Sequence, residues 1–364
     1  MIMFRTNMTE KMEKQKMKPG NWLICFFVIL SSFLIITGVI TVYFDPFFHY
    51  HAPLKAYFYK LDNERYQNDG IMKHFNYDSI ITGTSMAENF KTTDFKKLFG
   101  GEAIKVPYSG GSFCEISKGI EDALKTHKVK IVIRSLDYGF LSDDKDYIDP
   151  KYDADYLSDK NIFNDIKYLV NKDVLIKYCY PMVVLRKEGV KGGYTSFDEY
   201  ANWMDEFREG ENPEWKGHVI KGEEKGLSEK QRLSLKGNID QNFLEQAKRY
   251  PDTEFYLFFP PYSIAYWQLQ YEEGRISERL ESEEETIRLL IDCENIKLFS
   301  FNEETDMITD LSNYSDALHY VDKINTQILT WMKDDIHWIN KKNYDRYINW
   351  EKDFFLNYEY ENQD

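Results

Sequence analysis

The chain has 364 residues, a mass of 43.4 kDa, a formal net charge of −15 and a pI near 5.1. With 43% hydrophobic and 29% charged residues and a mean hydropathy of −0.57, it is too apolar for a disordered chain and too polar for one made mainly of membrane spans. Ten prolines, nineteen glycines and no short repeat exclude collagen-like, low-complexity and solenoid architectures. The acidic surplus argues against nucleic acid, whose binding rests on neutralising phosphates.

Trp22 to Phe44 is a run of twenty-three residues without a charged side chain. At about 1.5 Å per residue it spans the roughly 30 Å hydrocarbon core of a bilayer. Before it stand Arg5, Lys11, Lys14, Lys16 and Lys18 against Glu10 and Glu13; after it comes Asp45, with no Lys or Arg until Lys55. The basic excess places the N-terminus in the cytoplasm and the chain from about residue 45 outside it. A cleaved signal peptide would have a shorter apolar core, about 7–15 residues, and small residues at the cut. Here the run continues into the bulky VYFDPFFHYH, which favours an uncleaved anchor. The expected order is a cytoplasmic tail (1–21), an anchor (22–44) and a membrane-proximal linker (45–74). The aromatic residues from Tyr43 to Tyr50 are expected at the outer headgroup level, with His49 and His51 as interfacial anchors rather than metal ligands.

The first twenty residues carry a net charge of +3, so the remainder of the chain carries −18. That acidity disfavours docking onto strongly anionic polymers, with the basic stretch from Lys221 to Lys236 as a local exception. Cys25, Cys114, Cys179 and Cys293 are scattered, with no spacing that suggests zinc or a redox site, and three lone buried thiols are expected outside the anchor.

From residue 77 the pattern is strand, loop, helix. Apolar runs at 77–83, 103–107, 129–136, 254–260 and 295–301 are separated by helical stretches. This predicts an α/β fold with a mainly parallel five-stranded sheet covered by helices, over residues 75–335. Sites in such sheets lie beyond the carboxyl ends of the strands. The roughly 110 residues between the third and fourth strands are too many for one crossover and predict a largely helical insertion at about 141–250, near the site. Ile324, Ile328, Trp331 and Met332 at helical spacing predict a packed helix, and 336–364 reads as a loosely ordered C-terminal extension.

Three motifs fall on the predicted loops. The first strand ends in ITGTSM, which puts Ser85 after a glycine-bearing turn with its N–H at a helix start, a placement that suits a nucleophile. By itself Ser85 reads first as an N-cap, a common structural device. Near the C-terminus, NYSDALHY sets Asp316 and His319 three residues apart, as a carboxylate orienting an imidazole base; a capping Asp beside a half-buried His is an equal reading. After the second strand, PYSGGS offers Gly110 as a backbone oxyanion donor or simply as part of a tight turn.

In this order, Ser85, Gly110 and the Asp316–His319 pair resemble the SGNH/GDSL hydrolase superfamily, a three-layer flavodoxin-like fold. The single N-terminal anchor looks like its bacterial cell-envelope branch, which includes D-alanyl transfer proteins of teichoic-acid modification and polysaccharide O-acetyltransferase-type proteins. The resemblance covers 75–140 and 250–335. It implies Ser85 as nucleophile, His319 as general base and acid, Asp316 as its orienting carboxylate, and the N–H groups of Ser85 and Gly110 as the oxyanion hole. It also implies a cell-surface glycan or teichoic-acid-like polymer as substrate, acetyl or D-alanyl as the acyl group, a membrane-bound O-acyltransferase as partner, and neither cofactor nor metal.

Two positions depart from the family pattern. Thr84 stands where an aspartate precedes the serine. Asp137, in RSLDYGF, stands where an oxyanion asparagine is expected, and a carboxylate there would repel the oxyanion. Either Arg134 or another donor substitutes, Asp137 has a different task, or catalysis is weak. Tyr262, Tyr266 and Trp267, after the fourth strand, are placed on the site rim, where aromatic faces stack on sugars. The Asp137 departure keeps a second reading open, a catalytically degenerate domain serving as a glycan-binding or scaffold component of an envelope assembly complex.

Overall fold

The computed structural model describes residues 19–151, 155–159, 161–204 and 219–360. The expected basic tail lies almost entirely outside the described residues, as does part of the insertion. In chain order the elements are α1 (Pro19–Phe44), α2 (Glu64–His74), β1 (Ser79–Gly83), α3 (Thr92–Phe99), β2 (Ala103–Pro107), α4 (Phe113–Thr126) and β3 (Ile131–Ser135). The insertion contributes α5 (Ile166–Leu169), α6 (Tyr180–Lys187, continuing a wider turn at Val174–Cys179), α7 (Glu229–Ile239) and α8 (Glu245–Arg249). After it come β4 (Glu254–Phe259), α9 (Ile264–Glu273), α10 (Ile276–Leu290), β5 (Ile296–Ser300), α11 (Thr305–Thr309), α12 (Asp322–Lys333), β6 (Trp338–Ile339) and α13 (Tyr344–Asn357).

The sheet runs β2-β1-β3-β4-β5-β6, parallel except for β6, which is antiparallel to β5. The five expected strands are present, and a short sixth makes the sheet mixed. Alternation along the strands sends successive side chains to opposite faces. On one face Tyr256 stacks on Phe299, Phe301 stacks on Trp331 of α12, and Phe99 of α3 packs edge-on against Tyr256. On the other, Arg134 reaches α4 and Ser300 reaches Tyr347 of α13. Helices therefore cover both faces, and both faces of the strands are buried. Ser112 caps α4 by accepting from the N–H of Glu115 at 3.2 Å, and a Ser228–Gln231 capping box starts α7.

Helix α1 is long and apolar enough to cross a membrane. The stretch after α1 differs from the expected linker. Asp45 is buried and accepts from the N–H groups of Tyr50 and His51 and from the hydroxyl of Tyr168, which bends the chain back on itself. Phe47 then stacks on Tyr66 and Tyr168, while Phe48 enters the main core. The expected headgroup cluster is thus turned inward; only Tyr43 remains exposed. His49 Nδ1 meets the Leu157 carbonyl at 2.9 Å and His51 Nε2 the Val42 carbonyl at 3.0 Å, so both imidazoles fix the turn. Helix α2 packs Ile71 and Met72 into the core and belongs to the body rather than to a tether.

The insertion is helical over 166–169, 174–187 and 229–249, and its other described residues are mostly turns and irregular chain, including 188–204. Its Asp198 accepts from Thr92 Oγ1 at 3.0 Å and from the Thr93 N–H at 3.1 Å, capping α3 from outside. The expected loose C-terminal extension is instead folded. Helix α13 seals the end of the core, with Phe355 stacked on Trp267 at 3.8 Å between ring centroids. Its Tyr347 hydroxyl lies 2.6 Å from both Glu283 and Ser300 and 2.8 Å from Glu351; Asn302 donates to Glu351 at 2.8 Å, and the Tyr138 hydroxyl also bonds Glu283. Burial raises both carboxyls, which sit in one network. The four cysteines are free; Cys114 and Cys179 are buried, and Cys293 is half-buried.

Candidate active site

Strand β1 ends at Gly83, where φ is +148° and a Cβ would stand 2.4 Å from Ser135 Oγ. Only glycine fits this close approach to β3. Thr84 follows, then a single 3₁₀ turn, Ser85–Ala87, closed by the Ala87 N–H on the Thr84 carbonyl at 3.0 Å. Ser85 therefore heads one short turn and not the start of an α-helix, because the chain extends again before α3. The expected macrodipole contribution is correspondingly small.

Asp316 and His319 sit in a loop pinched shut by pairing between Tyr314 and Tyr320, with the Ser315 N–H on the His319 carbonyl at 2.8 Å. Tyr314 donates to the Pro261 carbonyl and Ser263 to the Ala317 carbonyl, both at 2.8 Å, which holds the loop against the end of β4. Asp316 Oδ1 accepts the N–H groups of Leu318 and His319, leaving Oδ2 for His319 Nδ1 at 2.7 Å. The opposite ring nitrogen, Nε2, lies 2.7 Å from Ser85 Oγ. Burial alone would raise the Asp316 carboxyl, but the imidazole and two backbone donors outweigh it and hold it below the usual range.

These residues open onto a cleft of about 400 Å³ lined by Ser85, Glu88, Ser109, Trp203, Ser315, Asp316 and His319. Four of the seven lay outside the sequence expectation. Trp203 comes from the insertion and sets its ring edge-on to His319, with centroids 5.9 Å apart. Its backbone N–H donates to Oδ1 of the buried Asn89 at 3.2 Å, fastening the insertion beside the nucleophile. Ser109, rather than Gly110, forms the wall after β2; Gly110 follows it, exposed and left-handed at φ +62°.

The expected rim is not at the rim. Asp137 is buried beneath the nucleophile turn, where it accepts from Thr84 Oγ1 and the Tyr262 hydroxyl at 2.9 Å and from Ser135 Oγ at 2.6 Å. Burial raises its carboxyl, with the three hydroxyl donors offsetting part of the shift. Its task is to hold Thr84, and it does not face the cleft. Arg134 is buried on the far face, donating to Ser117 Oγ and to the Asn242 and Phe113 carbonyls at 2.9 Å, with its guanidinium 3.9 Å from the Phe243 ring centre. Burial lowers it to about 9. Tyr262, Tyr266 and Trp267 are buried in the core and present no face to the cleft.

Beneath the cleft is a charge cluster. The Glu88 carboxyl hydrogen-bonds the Glu64 carboxyl and Ser109, and Glu64 Oε2 accepts the Ser109 N–H at 2.7 Å. Lys105, fully buried on β2, donates to the Glu88 carbonyl. Burial pushes Lys105 down to about 7; burial and then the Glu64 charge push Glu88 up to about 8. The two carboxyls thus share a proton through neutral pH. In the unfolded chain Glu88 ionises near 4.5, so folding gives up stability progressively as pH rises from about 4.5 to about 8. Glu88→Gln should therefore match wild type at pH 4 and exceed it by about 2–4 kcal/mol at pH 8. Thermal midpoints at both pH values test this; parallel pH dependence in the two proteins would refute it.

No protein-family model and no curated protein sequence matches the chain. Among solved structures, a chain from Streptococcus pneumonia described as "a putative platelet activating factor" overlaps with a TM-score of 0.37 at 12% identity, covering 75% of this chain and 91% of that one. So loose a likeness carries no functional argument, and the functional reading rests on the geometry above.

Proposed function

We propose that the chain is a membrane-anchored, extracytoplasmic serine acyl-esterase or acyltransferase of the SGNH type, acting on a cell-surface glycan or teichoic-acid-like polymer. The observation that carries this is the Ser85–His319–Asp316 relay, 2.7 Å at each step, opening onto a cleft. His319 Nε2 takes the proton as Ser85 Oγ attacks an acyl carbonyl, and Asp316 holds the ring and stabilises the imidazolium. The Ser85 backbone N–H is the oxyanion donor at the cleft, and the family resemblance adds that of Gly110, next to the cleft-lining Ser109, whose own N–H is committed to Glu64. Collapse of the tetrahedral intermediate expels the alcohol or thiol, which takes the proton from His319 and leaves an acyl-serine. Water or a glycan hydroxyl, deprotonated by His319, then releases the acyl group. Trp203 offers an aromatic edge, and Glu88 a hydrogen-bonding carboxyl, to the acceptor.

Acetyl and D-alanyl are the acyl groups in keeping with the family resemblance, and a membrane-bound O-acyltransferase is the partner that would deliver them. The degenerate-domain alternative drew its force from Asp137 beside the oxyanion, and a buried Asp137 removes that motive. The experiment compares ester-linked groups on envelope polymers from cells carrying wild-type or Ser85→Ala protein. A changed acyl content is expected, and an identical profile would count against both enzyme versions.

A further inference from the structure

The end of α1 is not free of the body. Thr37 and Thr41 are buried, Thr41 Oγ1 donates to the Leu169 carbonyl at 3.1 Å, and a Cβ on Gly38 would lie 3.9 Å from that of Leu169. Gly38 is six residues before the end of the helix, so the end of α5 reaches about 9 Å back along it. At the other end of the same segment, the Arg186 guanidinium of α6 lies 4.8 Å from the Tyr57 ring centre. Tyr57 in turn packs on Phe44 and Tyr43. Residues 166–187 therefore run beside the last turns of α1, touching them directly at Leu169 and, at Arg186, through Tyr57.

This segment and the residues just before it carry apolar side chains that none of the described residues covers. Ile162 and Phe163 are 73% and 85% exposed, and Ile166, Ile176 and Tyr180 are each more than half exposed. Ile176 and Tyr180, four apart, share one helix face. A soluble body does not concentrate such residues without an occupant. The aromatic residues expected to anchor this end of α1 are turned inward, so the surface that meets the headgroups lies elsewhere.

We infer that residues 162–180 form a second membrane contact, seated in the outer lipid layer beside α1. The inference rests on α1 crossing the bilayer. The occupant is lipid, because the patch continues the exposed apolar surface of α1 at the depth where that helix leaves the hydrocarbon. The body is then held against the membrane at two places rather than swinging on one tether, and the insertion that supplies Trp203 is the part that is held.

The test uses the full chain in lipid nanodiscs, in a Cys25→Ser, Cys293→Ser background. Single spin labels are placed through Phe163→Cys, Ile176→Cys, Ile35→Cys on α1 and Asp353→Cys on α13 at the opposite sheet edge. Accessibility to oxygen and to a water-soluble nickel chelate is compared. Labels at 163 and 176 are expected to follow 35, with oxygen favoured over nickel, and 353 to show the reverse. If 163 and 176 follow 353 while 35 remains in lipid, the second contact is overturned and the anchor stands. Exclusion of both reagents at 163 and 176 means a protein occupant, a second copy or a partner, and also overturns it. A label at 35 that behaves like 353 removes the anchor and the inference together.

Discussion

Replacing Ser85 with alanine is expected to lower kcat/KM on a simple activated ester such as p-nitrophenyl acetate by at least about 10³-fold. It should also abolish labelling of the protein by an active-serine phosphonate. His319→Ala should cost about as much, because among the described residues His319 is the base hydrogen-bonded to that hydroxyl. The double variant should lose little more than either single one, since the two groups act as a unit. Asp316→Asn, which keeps the shape but withdraws the charge holding the Nδ1 proton, is expected to cost about 10²–10⁴-fold. Retained phosphonate labelling in Ser85→Ala, or losses that multiply in the double variant, would show that Ser85 and His319 do not work as a pair.

The largest expected effect on stability lies far from the cleft. Phe355→Ala removes the ring stacked on Trp267, both fully buried, and should destabilise the protein by about 3–5 kcal/mol. For a chain of this size that lowers the thermal midpoint by roughly 4–7 °C. The loop that carries the relay is held by Pro261 and Ser263 rather than by Phe355, so the folded fraction should keep its phosphonate labelling. A midpoint within 2–3 °C of wild type would mean that α13 is peripheral to the fold after all.

The same helix shows why some of the structure was unreadable in the sequence. Trp267 follows a strand end, where an aromatic side chain either lines a site or fills a core. What decides is whether something covers it, and the cover is Phe355, in a stretch whose acidic composition reads as solvated. Glu351 is one of those acids, yet it is buried because Tyr347 and Asn302 satisfy it. A tail taken for solvated leaves Trp267 without its cover, and Tyr262 and Tyr266 move to the rim with it. Ser85, Asp316 and His319 stand out in the sequence not one by one, where each also reads as a cap, but by their order along the chain, and the fold brings the three within hydrogen-bond reach of one another. Glu88 and Trp203 do not stand out. Three residues past Ser85, a glutamate reads as surface charge until Glu64 and Lys105 are seen beneath it. Trp203 reaches the cleft only because Asp198 and Asn89 fasten the insertion there. Asp137 reads in sequence as an intruder at the oxyanion position; hydroxyls from β3, the nucleophile turn and the segment after β4 turn it into a clamp.

Ser85 and His319 are 234 positions apart. At about 5–20 residues per second, a growing chain makes its nucleophile roughly 10–50 seconds before its base. Within that interval β2, β3 and then β4, on whose end the imidazole loop rests, are made in turn, but the loop itself comes only at its close. The serine is therefore an ordinary alcohol until the last third of the chain has folded onto the first. Reactivity is withheld during synthesis by chain order alone, and no propeptide or inhibitor is required to keep the unfinished protein from attacking esters around it.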